Sequence, residues 1–497
     1  MRPSRRFWLE WLGAFLLCAA MCAYFQFQTP FLPEEDGYFH IKMAYLMRHH
    51  GLFLKGFPWA HFSMWREGFS DGSLVFHLLL MPFTFGDLAF GAKLATSLLS
   101  GLMFSSFFAI LTLHRVRFRF YWFLLLLLGG GFFWWRMMVP RPQVLSTTLL
   151  LWSLHFLLSG RRRAFAAVSF LYPLSYVAAF LPQVFAATRW LYLKIAEKRS
   201  EHRILFAGLA AYALGMLLHP YFPKNLKFFY VQNIWVMTLA ITQKVDLHLG
   251  REILPLDTRT FVAAHVPLLF HLFGLGFIFA HRRVPLSERT RVTFPIMMIL
   301  LLMACVSKRF LEYAVPVSTL FCAFFFTDLF ADYGQSELAR DFGPDAKSIV
   351  EFLLIVMIAG ALTGAGALKW TFSNIQPPRW QAMAKVLAEK VPPGELVYTC
   401  DWDDPPQLLF FNDQHRYPVM MDPTFMYYWD PALWRKWSDI NNGRIAMDGV
   451  YKAMTETFHA RFGVCGSKFR MLRAMMGPDE RFDILAEDKN GFVFEVL

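Results

Sequence analysis

Long apolar segments recur through the first three quarters of this 497-residue chain. A helix needs about 20 mostly apolar residues to cross the hydrocarbon core of a membrane, and many of these segments approach that length. Hydrophobic residues make up 56% of the chain and charged residues only 17%, against roughly 25% charged residues in an average soluble domain. The pattern predicts an α-helical polytopic membrane protein. It excludes a single soluble domain, a disordered chain and a disulfide scaffold.

Hydropathy predicts about eleven membrane-spanning helices in this chain. The predicted spans are 8–27, 87–113, 119–135, 143–159, 164–180, 181–195, 204–219, 261–280, 292–307, 311–331 and 348–368. We expect the first of them to be an uncleaved helix rather than a signal peptide, because no convincing small-residue cleavage site follows it.

Basic residues mark one side of the predicted membrane. They cluster at the N-terminus and in the stretches 115–119, 161–163, 194–203 and 282–291. Short basic loops face the cytoplasm, so we expect a cytoplasmic N-terminus in a protein integral to a bacterial or archaeal cytoplasmic membrane. Loops 28–86 and 220–260 are then external. This topology accounts for the net charge of +12, and the charges form no continuous basic face of the kind that binds nucleic acid.

The C-terminal part of the chain has ordinary polarity and several Pro-Pro turns. We therefore predict two domains, a transmembrane module over 1–369 and a small soluble external α/β domain over 370–497. β-Branched and aromatic content predicts strands at 396–399 and 492–496. We expect helices at 379–390 and 448–461.

Cysteines are distributed unevenly between the two predicted domains. Cys400 and Cys465 lie in the C-terminal domain, whereas the other four lie in apolar spans. An external compartment permits disulfides, so these two residues are candidates for one. No Cys-x-x-Cys pair of the kind that binds metal is present.

An acidic cluster, Glu34-Glu35-Asp36, follows the first predicted span directly. It is either a solvated acidic turn or a catalytic site at the membrane surface. In the second case, a carboxylate there would bind a divalent cation or act as a general base on an acceptor. We predict that Gly37 permits a tight turn at this point.

Several arginines lie at predicted membrane edges. Arg136 and Arg141 are either snorkelling anchors or ligands of an anionic lipid head group. Arg309 lies in a very short loop, and ionisable residues at such positions are functional candidates by default. Glu312, three residues later, could instead pair with Arg309 or Lys308 across one helical turn.

Three further positions are candidates for a site. Glu252 lies in a loop whose length is uncommon unless it is functional. His219 ends a predicted span, where a histidine is structural or a ligand. The stretch Asp401-Trp402-Asp403-Asp404 follows a predicted strand and is either a solvated turn or a binding loop.

Taken in order, these segments resemble the GT-C integral-membrane glycosyltransferases, and within them the single-subunit oligosaccharyltransferases of bacteria and archaea. The stretch 35–39 looks like the first-loop acidic motif, in which the aspartate binds the catalytic metal. Arg309 looks like the arginine that contacts the lipid-linked phosphate of the donor. Glu252 is similar in position to the loop glutamate that completes the site, and 401–404 lies where the family carries its acceptor motif.

The resemblance implies a glycosyltransferase that moves a sugar or oligosaccharide from a polyprenyl phosphate or pyrophosphate to a protein or glycan acceptor on the external face. Its partners would be the lipid-linked donor, membrane lipid and the acceptor, without nucleic acid. The implied catalytic residues are Asp36, Glu35 and Glu252. The implied donor-phosphate ligands are Arg309, Arg141 and His219. The implied acceptor-binding residues are Trp402, Asp403 and Asp404.

One departure bears on metal binding. The second external loop of the family supplies an acidic pair, but the corresponding stretch here, 139–143, contains Arg141 and no acid. Mg²⁺ or Mn²⁺ could still bind through Asp36, Glu252 and donor phosphate oxygens. Alternatively, Arg141 neutralises the phosphate directly and no metal is needed. The sequence leaves both possibilities open.

Two other functions are compatible with the sequence. A lipid-linked-sugar transporter or flippase would show ionisable residues within spans and internal symmetry, and this sequence shows almost no such residues and no repeat. A surface-polysaccharide polymerase or ligase would share the donor chemistry and differ only in its acceptor.

Overall fold

The computed structural model describes residues 4–128, 130–242, 247, 250, 252–258, 268–269, 271–276, 284–332 and 345–497. The chain divides into two compact units. Unit 1 comprises residues 1–29, 93–219 and 250–374, and unit 2 comprises 30–92, 220–249 and 375–497. The predicted boundary near residue 369 is close to the last of these divisions. However, most of loop 28–86 and most of loop 220–260, both predicted to be external, belong to the same unit as the C-terminal region.

Unit 1 is built from apolar helices. The helix Arg5–Gln26 begins at Ser4, whose hydroxyl accepts a hydrogen bond from the backbone N–H of Phe7. The described helices of this unit include Arg5–Gln26, Leu88–Leu113 (which starts in unit 2), Arg119–Leu127, Gly131–Met138, Gln143–Leu158, Arg162–Leu171, Leu181–Ala196, Arg203–Leu217, Glu288–Val306, Leu311–Asp332 and Asp345–Ser373. Short 3₁₀ turns cover Tyr172–Leu174 and Lys308–Phe310.

The predicted number of spans is not confirmed. Among the described residues, four helices are long and apolar enough to cross a membrane, or five if the bent pair Arg119–Leu127 and Gly131–Met138 forms one span. Several of the others are shorter; Gln143–Leu158, for example, has 16 residues. At 1.5 Å per residue such a helix reaches only about 24 Å. Most of the predicted span 261–280 lies outside the described residues.

Two predicted spans are interrupted. The span expected at 119–135 is two helices, because the glycine run at 129–131 disfavours a continuous helix. The span expected at 164–180 is a shorter helix, Arg162–Leu171, which ends in the 3₁₀ turn at Pro173. Proline has no backbone N–H to continue the hydrogen-bond ladder, so the helix stops there.

Unit 2 combines short helices with one sheet. Its helices are Glu35–His50, Met64–Gly68, Leu74–Leu80, Lys224–Tyr230, Val236–Thr242, Gln381–Lys390, Pro405–Phe411, Thr424–Trp429, Pro431–Asn441, Met447–Lys452 and Arg470–Met476. π-Helical turns lie at Val231–Trp235 and Ala453–Phe458, and 3₁₀ turns at Met81–Thr84 and Ser467–Phe469.

The strands of unit 2 are β1 (Val397–Thr399), β2 (Phe462–Gly466), β3 (Phe482–Glu487) and β4 (Gly491–Val496). They form a mixed sheet in the order β1-β2-β4-β3, with β1 parallel to β2 and the other pairs antiparallel. Gly463 on β2 pairs with Phe494 on β4, and a Cβ at Gly463 would clash with the phenyl ring. The predicted strands at 396–399 and 492–496 are confirmed to within a residue.

A disulfide joins Cys400 to Cys465, the pair that the sequence offered as a candidate for one. Their Cα atoms are 5.0 Å apart, within the range that a disulfide spans. The bond ties the loop after β1 to the end of β2. It closes a loop of 65 residues and fixes the base of the segment that carries the predicted acceptor motif.

Candidate active-site clusters

In unit 1, backbone hydrogen bonds bring Glu252 next to Arg309. The backbone N–H of Arg309 donates to the carbonyl oxygen of Glu252 at 3.0 Å, and the N–H of Lys308 donates to that of Leu254 at 3.1 Å. The hydroxyl of Ser307 donates to the Glu252 carbonyl as well, at 3.0 Å. The loop therefore runs along the short connection between Glu288–Val306 and Leu311–Asp332.

Two ion pairs extend this cluster. The guanidinium of Arg141 lies 3.4 Å from the carboxylate of Glu252. The guanidinium of Arg136 lies 3.1 Å from the carboxylate of Glu312, and these two side chains are 6% and 0% exposed. One interpretation of the sequence paired Glu312 with Lys308 or Arg309. The structure shows that Glu312 forms its salt bridge with Arg136 instead. Lys308 instead faces Asp257 at 3.4 Å.

The guanidinium of Arg309 is the candidate phosphate ligand of this cluster. Among the described residues it makes no hydrogen bond or salt bridge through its side chain, although Glu252 and Glu312 are close enough to interact with it electrostatically. Within the described part of the chain, three guanidinium groups thus lie around two carboxylates. A partly exposed arginine in this state is suited to binding an anion.

The arginines also determine the charge of Glu252. Burial alone would raise the pKa of its carboxyl group, but Arg141, then Arg136 and Arg309, lower that pKa to about 2. The arginines therefore favour the anionic form of Glu252, in which its carboxylate can hold a cation or orient Arg141.

A buried hydroxyl network supports the cluster, and the sequence did not reveal it. Ser146 hydrogen-bonds to the hydroxyl groups of Tyr172 and Tyr313 at 2.6 and 2.9 Å, and Tyr176 donates to Glu312 at 3.5 Å. The only local signal was the presence of hydroxyl side chains inside apolar segments. Their pairing brings together residues far apart in the chain, which no local pattern encodes.

His219, the third predicted phosphate ligand, follows the helix Arg203–Leu217 and is buried, with 2% of its surface exposed. It is part of unit 1. Its role as a ligand stays a prediction.

In unit 2, Glu35 and Asp36 form the first turn of the helix Glu35–His50. Carboxylates are favoured there by the unsatisfied N–H groups and the positive end of the helix dipole. Glu35 accepts a hydrogen bond from the side chain of Gln407 at 3.4 Å, and both acids stay partly exposed. The tight turn predicted at Gly37 is wrong, since Gly37 is buried inside the helix.

The predicted acceptor residues lie between β1 and the helix Pro405–Phe411. Asp404 is buried, accepts a hydrogen bond from Trp380 Nε1 at 3.1 Å, and pairs with Arg379. Burial raises the pKa of Asp404 to about 7 despite this arginine. Asp404 is thus tied into the fold, whereas Trp402 and Asp403 are partly exposed and more accessible to a ligand.

The described residues contain no group of three or more His, Cys, Asp or Glu side chains placed to hold a metal ion. Where the resemblance would place acids, the chain has Arg141, and its guanidinium takes up the carboxylate of Glu252. These side chains do not fit a metal site built by the protein alone. Binding of Mg²⁺ or Mn²⁺ through Asp36, Glu252 and donor phosphate oxygens stays a prediction.

No protein-family model matches the sequence, and the search of curated proteins found no match. The archaeal oligosaccharyltransferase AglB from Archaeoglobus fulgidus, in complex with an inhibitory peptide and a dolichol-phosphate, is a structural match. The match covers 94% of this chain and 70% of AglB, with a TM-score of 0.67 and 12% identity. ArnT from Cupriavidus metallidurans, bound to undecaprenyl phosphate, matches over 98% of both chains, with a TM-score of 0.59 and 14% identity. This chain therefore has the GT-C glycosyltransferase fold that its sequence predicted.

Proposed function

We propose that this protein is a membrane glycosyltransferase that transfers a sugar or oligosaccharide from a polyprenyl phosphate or pyrophosphate to a protein or glycan acceptor. The observation that carries the proposal is the cluster in unit 1, where Arg309 has a guanidinium without an ion pair among the described residues. A phosphate gains negative charge as it leaves the sugar, so positive groups held in place beforehand stabilise the transition state more than the ground state.

Arg309 and Arg141 have distinct tasks in this proposal. Arg309 binds the phosphate of the donor, and Arg141, held by Glu252 at 3.4 Å, supplies a second positive group. The ion pair between Arg136 and Glu312 anchors the cluster in the apolar helices. Around such helices the effective dielectric constant falls, and each contact to phosphate becomes stronger than it would be in water.

Asp36 serves the acceptor in the proposed reaction. It stays partly exposed at the start of its helix and orients the attacking group of the acceptor. Trp402 and Asp403 hold the rest of the acceptor. We place this chemistry on the external face of the membrane because the basic stretches of the sequence face the cytoplasm.

Solved proteins of the same fold support the substrate class. ArnT was crystallised with undecaprenyl phosphate bound, and one AglB structure is a complex with dolichol-phosphate. In a further structure, the Archaeoglobus fulgidus oligosaccharyltransferase is tethered to an acceptor peptide. We therefore propose a lipid-linked donor for this chain and count a peptide among its possible acceptors.

The first test compares two lipids that differ only in the phosphate. The full-length protein in lipid nanodiscs is titrated with undecaprenyl phosphate and with undecaprenol. We expect saturable binding of the phosphate and much weaker binding of the alcohol. Equal binding of the two lipids would contradict a donor site built on arginine.

The second test is the variant Asp36→Asn, assayed for transfer from undecaprenyl-phosphate-linked sugars. We expect transfer to be lost while the melting temperature changes little, since a charge at a helix N-terminus contributes only about 0.3–1 kcal/mol. Glu67→Gln, which changes an exposed carboxylate of the same unit, is the matched control and should keep wild-type activity. Activity in Asp36→Asn would rule out Asp36 as the central acid.

A further inference from the structure

Three buried ionisable side chains of unit 2 form a continuous hydrogen-bonded chain. The Asp71 carboxylate lies 2.7 Å from Nδ1 of His77, and Nε2 of His77 lies 2.8 Å from Nδ1 of His40. The three residues are 4%, 2% and 6% exposed. The proposed function uses none of them, and burying three such groups is costly unless they are paired.

The order of donors and acceptors in this chain follows from Asp71. One carboxylate oxygen accepts the backbone N–H of Ser73 at 2.9 Å, and the other faces His77, so the proton of a neutral His77 lies on Nδ1. Nε2 of His77 must then accept, and Nδ1 of His40 must donate. The lone pair of a neutral His40 therefore lies on Nε2, for which no hydrogen bond is found within the described parts of the chain.

His40 lies one helical turn after Asp36 on the helix Glu35–His50. Residues four apart share one face of a helix, with Cβ atoms about 6 Å apart. The ring of His40 packs edge-on against Phe76 at 5.5 Å, which holds it in place. A fixed nitrogen lone pair thus accompanies the carboxylate proposed to orient the acceptor.

The surroundings of His40 contain few other charges. The elements that pack most extensively against its helix are Leu74–Leu80, Met81–Thr84 and Pro405–Phe411, and His77 is the only ionisable residue in these three elements. On its own helix Asp36 is one turn away, Glu35 and Tyr38 are close in sequence, and Lys42 pairs with Asp413 at 3.0 Å. Burial, and next the neighbouring His77, holds the pKa of His40 well below its usual range, so the lone pair is available at neutral pH.

We propose that Asp71, His77 and His40 form a proton relay whose terminal atom, His40 Nε2, takes the proton that the acceptor loses during glycosyl transfer. The relay rests on the function proposed above. A bond forms between the acceptor heteroatom and the anomeric carbon, and the bond from that carbon to the phosphate oxygen breaks, with its electron pair leaving on the phosphate. The acceptor proton moves to His40 Nε2, and the Nδ1 proton of His40 can pass to His77. The positive charge then rests beside Asp71 until the proton is released to water.

The relay gives its members different roles. His40 touches the acceptor and is a catalytic residue, whereas His77 and Asp71 are positioning residues that act through it. Asp71 stabilises the imidazolium that forms, as the carboxylate does in a serine–histidine–aspartate triad. General-base assistance contributes roughly 10²–10⁴-fold to a rate, which is the size of effect that the relay predicts.

The experiment measures release of sugar from undecaprenyl-phosphate-linked sugars by the full chain in nanodiscs, with water as the acceptor. We expect His40→Ala to lower kcat by about 10²–10⁴-fold and added imidazole to restore part of it. Asp71→Asn should also lower kcat, because the imidazolium that forms on His77 loses its stabilising carboxylate. Binding of undecaprenyl phosphate should stay unchanged in both variants.

The matched control is His415→Ala. His415 is also buried in unit 2, and its ring bonds to Asn412 and to the Val391 carbonyl. Its loss should lower the melting temperature without any rescue by imidazole. If His40→Ala keeps its activity, or loses activity only in step with its melting temperature and without rescue, the relay is overturned.

A separate readout distinguishes failure of the relay from failure of the proposed function. NMR of the protein labelled with nitrogen-15 histidine should show a strongly deshielded Nδ1 proton on His77 that disappears in Asp71→Asn. Absence of that signal would overturn the relay whatever the activity. Lack of sugar release by the wild type would contradict the proposed function and, with it, the catalytic role of His40.

Discussion

At the scale of single residues, the sharpest prediction concerns Arg309 and the affinity of the protein for undecaprenyl phosphate. Losing a hydrogen bond to a charged partner costs about 1.5–3 kcal/mol, or roughly a tenfold to hundredfold change in affinity. Arg309→Ala should therefore weaken binding of undecaprenyl phosphate by that factor in a titration. Arg309→Lys should recover only part of the loss, because an ammonium group cannot form a bidentate pair with phosphate.

The adjacent residue supplies the control for Arg309. Lys308 carries the same charge, but its ammonium group faces Asp257 rather than the arginine cluster. Lys308→Ala should leave the affinity for undecaprenyl phosphate within about twofold of the wild type, since exposed ion pairs contribute little. An equal loss of affinity in both variants would mean that the phosphate responds to general positive charge and not to a specific ligand.

At the scale of elements, the loop that carries Glu252 should make stability depend on pH. The pKa of Glu252 lies near 2 in the folded protein and near its ordinary value, about 4.3, in the unfolded chain. A lowered pKa stabilises the fold above the unfolded value, and this stabilisation is lost as the pH falls through the folded value. The melting temperature of the wild type should therefore exceed that of Glu252→Gln at pH 6, and the difference should shrink between about pH 4.5 and 2.

The disulfide is the second element-scale feature with a measurable effect. It links the loop after β1 to β2 across 65 residues. A native disulfide of this kind stabilises a fold by about 2–5 kcal/mol, so a reducing agent should lower the melting temperature of unit 2. The variant Cys18→Ser, which changes a cysteine that is not in a disulfide, should keep the same sensitivity to reductant. The double variant Cys400→Ser/Cys465→Ser should show none.

At the scale of the whole molecule, the presence of Arg141 leads to a prediction about glycosyl transfer in the presence of a metal chelator. With Arg141 paired to Glu252 and Arg309 close to that carboxylate, the leaving phosphate can be neutralised without a cation. We therefore expect wild-type transfer from undecaprenyl-phosphate-linked sugars to continue in excess chelator. Complete loss of transfer that manganese restores would refute this prediction and favour a cation held by Asp36 or Glu252.

By itself, the sequence determined what local patterns can encode. Apolar runs predicted that unit 1 is helical, although not its number of spans. The resemblance of several segments, in order, to a known family implied the GT-C fold. β-Branched and aromatic content predicted strands such as β4 to within a residue. The same kind of reasoning failed where one residue interrupts a pattern, as at Pro173, because a hydropathy average does not register a missing backbone N–H.

Only the tertiary structure decided which charged groups meet. Arg136 and Glu312 are 176 positions apart, and His40 and His77 are 37 apart, whereas sequence spacing constrains only neighbours within about a helical turn. For this reason the sequence offered Lys308 or Arg309 as partners of Glu312, and packing supplied Arg136. Packing likewise joined most of the loops 28–86 and 220–260 to the C-terminal region, because buried surfaces and hydrogen-bond partners are matched across the folded chain and not along it.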